Sequence, residues 1–108
     1  MEAKESRNPI WVSLVEVEAL EDACDLARGD KAFVNALASA TSSFEAEGQI
    51  QASLLSLGFH VVVFEDTEEW DRRISEFQVA PELIALAQLV EESGEPRFDT
   101  FHTWDRQG

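Results

Sequence analysis

The sequence predicts an α+β domain: a two-layer α/β sandwich in which a four-stranded mixed sheet carries about three helices, in the order β-β-α-β-α-α-β. Runs rich in β-branched and aromatic residues stand at 10–18, 31–39, 59–65 and 97–104. Between them lie runs with apolar residues spaced i, i+3 or i+4, i+7, the signature of helices with one buried face. The length of 108 residues, 44% of them hydrophobic, suits one core and leaves little room for a second. Residues 1–9 read as a flexible polar arm ending at Pro9, and 10–105 as a single domain.

Each element has its own reason. In Ile10–Glu18, Trp11, Ser13, Val15 and Val17 share one parity. Val12, Leu14, Glu16 and Glu18 share the other, whose far end is solvated. Residues 19–30 read as a long loop between antiparallel strands, with Arg28-Gly29-Asp30 as a turn. A short helix burying Cys24 and Leu26 is the alternative. Ser42 and Glu45 have capping-box spacing, and Ile50, Leu54 and Leu57 form the stripe of the first helix. Gly58 is placed to end that helix in a left-handed conformation. The strand that follows is expected to lie parallel to 31–39 through a right-handed crossover.

Asp66 and Glu69 repeat the capping spacing ahead of Trp70, Ile74 and Phe77. Pro81 opens a third helix with the stripe Leu83, Leu86, Ala87 and Val90, and Ser93-Gly94 ends it. Residues 97–104 read as one last strand. With the helices on one face, the other face of the sheet is expected to be partly open.

Composition restricts function. Asp and Glu number 22 against 8 Lys and Arg, a formal net charge of −14. Such a field repels nucleic acid and anionic membrane and attracts basic proteins. No apolar run approaches the roughly 20 residues that span a bilayer, and Met1–Pro9 has no apolar signal core. Cys24 is the only cysteine, which excludes an intrachain disulfide and suits a reducing, cytoplasmic setting.

The chemistry-bearing residues do not assemble into a known catalytic pattern. Cys24 with His60 or His102, oriented by Asp99 or Asp105, lacks any glycine-framed nucleophile motif, and a buried core cysteine is the simpler reading. The histidines lack the paired spacing of a zinc site, and 65–69 lacks the alternating ligands and central glycine of a calcium loop. No metal or cofactor is expected. Arg72 and Arg73 lie among Glu68, Glu69 and Glu76, where pairing on a helix surface accounts for them. Phe101-His102-Thr103-Trp104 is dense in aromatics and serves as either a core strand or an exposed anchor.

Two acidic clusters remain, at 16–25 and 65–71. If strand order brings them to one end of the sheet, they form one strongly negative surface. With the single-domain length, the net charge, the one cysteine and the absence of an export signal, these clusters give the chain its likeness. It resembles the small acidic immunity proteins that accompany bacterial polymorphic and contact-dependent toxins. The resemblance is one of class over the whole chain and carries no residue over by position. It implies a cytosolic, non-enzymatic protein that binds a basic toxin domain, often a nuclease, and occludes its active site.

The partner-binding residues expected from charge are Glu65, Asp66, Glu68 and Glu69, then Glu18, Glu21 and Asp22, with Trp104 as an anchor. The protein is expected to be a monomer or weak dimer. The competing reading is a small regulatory or ligand-binding domain that self-associates through the open sheet face.

Overall fold

The computed structural model describes residues 8–22, 26–99 and 101–103. The elements are β1 (Ile10–Ala19), β2 (Lys31–Ser39), α1 (Ser43–Ser56), β3 (Phe59–Glu69), α2 (Trp70–Glu76), α3 (Pro81–Ser93), β4 (Arg97–Phe98) and β5 (His102–Thr103). The chain is an α+β fold in the expected order, with the last strand divided in two. Cys24, Asp25, Trp104, Asp105 and residues 1–7 lie outside the described residues.

β1 and β2 pair antiparallel over their whole length, from Ile10 opposite Ser39 to Glu18 opposite Lys31. Of the long connection between them, residues 20–22 and 26–30 are described and contain no helix, while the middle, with Cys24, lies outside the described residues; side chains hold its far end. Asp22 Oδ1 accepts from the Arg28 N–H at 2.9 Å, Asp30 Oδ2 accepts from the Ala27 N–H at 3.0 Å, and Leu26 is buried.

α1 starts as its capping residues require. Ser42 Oγ accepts from the Glu45 N–H at 3.1 Å. The return arm differs from the expected box: Glu45 Oε1 accepts from the Thr41 N–H at 2.8 Å and from the Thr41 hydroxyl, one residue before the cap. The Thr41 hydroxyl first, and its N–H second, hold the Glu45 carboxyl below its ordinary pKa.

Ser42→Ala should cost about 1 kcal/mol in a denaturant titration. For Glu45, stability linked to the lowered pKa is present above the ordinary carboxylate range and disappears as pH falls through the lowered value. The stability gap between wild type and Glu45→Gln should therefore be open at neutral pH and close on acidification. A gap independent of pH would exclude this role for the carboxylate.

The buried face of α1 is Ala46, Ile50 and Leu54. Leu57, expected in that stripe, is the C-cap residue and is 49% exposed. One turn too far along, it has left the sheet by the time the helix ends. Gly58 takes φ +97° as expected, and a Cβ there would come within 3.2 Å of the Glu21 carboxylate.

The crossover from β2 through α1 to β3 does not place β3 beside β2. The strand order is β3-β1-β2-β4, with β5 also on β2, and every described pair is antiparallel. β2 and β3 do run the same way, but β1 lies between them, so the expected parallel neighbours are separated and the sheet is antiparallel rather than mixed. The hairpin partner already holds one side of β2, and β3 takes the free side of β1 instead.

The helices divide between the two faces, instead of gathering on one. Trp11, Val15, Val17 and Ala19 of β1 and Ala32, Val34, Ala36 and Ala38 of β2 face α1, packing with Ile50, Leu54, Phe59 and Val61. This is the two-layer sandwich. On the reverse face Val12 and Leu37 pack with Trp70 of α2 and with Leu83, Ala87 and Val90 of α3. The α3 stripe is the expected one, and Gly94 ends it at φ +76°. Alanines on β2 let α1 approach closely, and this leaves the bulk to Ile50, Leu54 and Phe59.

Two further expectations change. Asp66 and Glu69 do not cap a helix: 66–69 extends β3, and α2 begins at Trp70 with no side-chain cap. Of its expected apolar face only Trp70 is buried, while Ile74 is 44% and Phe77 57% exposed. The last strand is interrupted at Asp99, whose carboxylate accepts from the Asn35 N–H at 2.8 Å and from Asn35 Nδ2 at 2.9 Å. The Asp99 N–H donates in turn to the Asn35 carbonyl at 3.0 Å. A side chain thus satisfies the β2 backbone where β4 leaves it.

Candidate functional site

The even-numbered residues of β1 and the odd-numbered residues of β2 point away from α1. α2 and α3 cover only one end of this reverse face, over Val12 and Leu37. The register places Leu14, Glu16 and Glu18 of β1 beyond that cover, with Phe33 and Asn35 of β2 on one flank. Glu65, Val63 and His60 of β3 lie on the other, opposite Leu14, Glu16 and Glu18 in turn. Val63, His60 and Glu65 are exposed, and Leu14, Glu16, Glu18 and Phe33 are half-buried. Among the described residues no helix covers this half of the sheet.

Two irregularities in β3 shape the surface. The register against β1 shifts between Glu16 and Val17, leaving Val62 as an extra residue, so Val62 and Val63 are both exposed, at 43% and 39%. It shifts again between Val12 and Leu14, where Asp66 adopts φ +51°, a left-handed conformation that Asp tolerates better than most residues. Ser13, fully buried opposite this second bulge, is satisfied there: its hydroxyl lies 3.3 Å from the Glu65 carbonyl and 2.9 Å from Thr67 Oγ1. The bulge turns the strand before α2 and aims Asp66 outward.

A cavity of about 760 Å³ opens where the uncovered half meets the α2–α3 connection, lined by Leu14, Asn35, Asp66, Arg73, Phe77 and Leu83 among others. Its charges are largely balanced internally. Arg73 forms an ion pair with Glu68, both side chains being mostly buried, and its guanidinium lies 6.0 Å from the Phe77 ring centroid. Arg72 pairs with Glu76 at 3.5 Å, the i, i+4 contact expected for a helix surface.

The acidic residues expected to bind a partner therefore separate. Glu65 lies on the uncovered face with Glu18. Asp66 lines the cavity, Glu68 is held by Arg73, and Glu69 precedes α2 opposite Trp11. Glu21 packs beside Gly58, and Asp22 closes the β1–β2 loop. The two clusters do not meet at one end of the sheet. Because β1 and β3 run antiparallel, Glu21 and Asp22 stand at the start of β3 and Glu68 and Glu69 at its finish.

What joins the clusters is the face between them. Glu16 and Glu65 are diagonal neighbours, about 7–8 Å apart by sheet geometry. Glu16 and the apolar members Leu14, Phe33 and Val63 were not among the residues expected to bind. The solvated parity of β1 pointed to Glu16, but only the pairing register could bring Val63 and Glu65 beside it.

His60 stands exposed on the sheet opposite Glu18, away from the cavity. His102 pairs with Phe33 through its backbone. Among the described residues no group of three or more His, Cys, Asp and Glu side chains is arranged to hold a metal ion. Nor is any described helix long and apolar enough to cross a membrane. No known protein family, curated protein or solved structure matches this chain.

Proposed function

We propose that this protein is a non-enzymatic inhibitor of a basic protein partner: a cytoplasmic immunity protein that blocks a toxin nuclease domain. The observation that carries the reading is the uncovered half of the sheet, where Glu16, Glu18 and Glu65 alternate with Leu14, Phe33 and Val63. Carboxylates set among apolar side chains suit a surface that binds Lys and Arg groups while burying their aliphatic stems. The net charge of −14 adds long-range attraction for a basic nuclease surface and suppresses acidic competitors. Nucleic acid and anionic membrane are not partners on this reading.

The test is capture from a lysate of the source organism, followed by titration of the captured protein's nuclease activity. Inhibition should be complete at equal proportion. Glu16→Lys/Glu65→Lys should slow association about tenfold or more at low salt, with the difference shrinking as salt rises. Both positions lie outside the core, so a melting curve suffices to verify the fold of the variant. If the double reversal leaves association and its salt dependence unchanged, the uncovered face is not the binding surface.

A further inference from the structure

β3 closes one end of the strand order, so among the described residues its outer side pairs with no strand. Beside that free edge runs a stripe of α1: Phe44, Gly48, Gln51 and Leu55, at i, i+4, i+7 and i+11. Phe44 is 84% and Leu55 57% exposed, although both are large and apolar. The other flank of α1 is fixed to the sheet, since Gln49 Nε2 donates to the Ser39 carbonyl of β2 at 3.0 Å. This turns the stripe outward past β3. Phe44, Gly48 and Gln51 line a groove of about 470 Å³ together with Phe64 of β3.

Gly48 weakens the middle of α1, and a Cβ at this position would meet nothing within 4 Å. Among the described residues nothing requires a glycine there, and the missing side chain leaves room for another helix to approach closely.

We infer that a second copy of the chain pairs with the free edge of β3 across a two-fold axis normal to the sheet, with the two α1 helices packed side by side. Such an axis makes one continuous sheet, in which directly opposed residues must share a face. Phe59, Val61 and Phe64 face the α1 side, whereas His60, Val63 and Glu65 face the other, because the extra residue Val62 switches the parity midway. A pairing centred between Val62 and Val63 respects both halves. It sets Val61 against Phe64 of the second copy on the helix side, and His60 against its Glu65 on the open side. The acids that follow find no acid opposite them in this register.

The helix stripe has the same symmetry. A two-fold centred between Gly48 and Gln51 sets Phe44 beside Leu55 of the second copy and Gly48 beside its Gln51. The two centres coincide along the molecule. Counting forward from Gly58, the strand centre is about 15 Å away at a rise of 3.3 Å per residue, and counting back, the helix centre is about 13 Å away at 1.5 Å per residue. Phe64, in one groove with Gly48 and Gln51, already places them together. One axis serves both elements, and it leaves the uncovered faces of the two copies on the same side of the assembly.

Sedimentation velocity of the full chain over a concentration series tests the inference. A reversible monomer–dimer equilibrium is expected, and it should tighten in about 0.5 M salt, where the Debye length is roughly 4 Å and repulsion between two copies is screened. Capture of a basic partner has the opposite salt dependence, so the two associations are distinguishable and either can fail alone. Gly48→Lys adds a positive charge, lowering the net negative charge of each copy, and improves the helix, so by charge alone it should tighten the dimer. Packing demands instead that it weaken the dimer about tenfold or more while the melting temperature holds or rises. His60→Lys should tighten the dimer several-fold and His60→Glu loosen it, each pair being present twice.

A chain that stays monomeric at every concentration and salt overturns the inference, and so does a Gly48→Lys variant that dimerises as tightly as wild type. Indifference to the charge at position 60 overturns the register.

Discussion

Phe59→Ala is expected to lower the unfolding free energy by about 3–5 kcal/mol. The side chain is fully buried at the point where β3 leaves α1, among Val17, Ala19, Leu54 and Val61. Its ring stacks on Phe101 with centroids 4.7 Å apart and planes 21° from parallel. Truncation would therefore leave a cavity that the small neighbouring residues cannot fill, and would remove the aromatic contact that ties 101 to the α1 layer. A domain of this size has a total stability on the order of 5–15 kcal/mol, so the variant should be close to unfolding at physiological temperature. Urea unfolding followed by far-ultraviolet circular dichroism measures it. A loss below about 1 kcal/mol would show that the α1 layer is not the dominant core.

Trp70→Ala should cost a similar amount, about 3–5 kcal/mol, but by a different route. Trp70 is 8% exposed and packs with Val12, Leu37, Leu83 and Val90 on the reverse face. α2 has seven residues and no side-chain cap, too short a helix to persist without its tertiary contacts. Removing the indole should release α2 and α3 from the sheet while the β1–β2 hairpin and α1 remain folded. Native-state hydrogen exchange separates the two variants. Trp70→Ala should accelerate exchange in 70–93 well before 46–54, whereas Phe59→Ala should accelerate both together. Uniform acceleration in Trp70→Ala would mean that the two faces unfold as one unit.

That contrast has a functional consequence. The reverse face is half covered, and the boundary between cover and exposure runs past Leu14 and Asn35, which also line the cavity. Loss of α2 and α3 would lengthen the apolar part of the exposed face without touching Glu16, Glu18 or Glu65. A basic partner should then lose little electrostatic attraction, while the variant gains a tendency to aggregate through newly exposed Val12 and Leu37.

Local residue chemistry was legible in the sequence to a considerable extent. The alternating parity of β1, the Ser42 cap, Gly58 at positive φ, Gly94 as the end of α3, Pro81 at the first turn of α3 and the α3 stripe all depend on neighbours within a few residues. So does the Arg72–Glu76 pair. Where Asp66 and Glu69 misled, the reason was tertiary. Their spacing suits a helix cap, but pairing with β1 extended β3 through 66–69, and the bulge with Asp66 at positive φ absorbed the mismatch.

By itself the sequence determined the α+β class, the order of elements, the dense negative charge and the solvated end of β1. These follow from composition and from periods of two and 3.6 residues. Only the tertiary structure decided that β1 lies between β2 and β3, that helices cover both faces, and that the two acidic clusters run toward opposite ends of β3 and approach each other only through Glu16 and Glu65 on the uncovered face. Such facts rest on which strand takes which free edge. That choice is set by how the Val12–Leu37 face and the Ile50–Leu54 face each find cover, a competition among distant residues that no local pattern records.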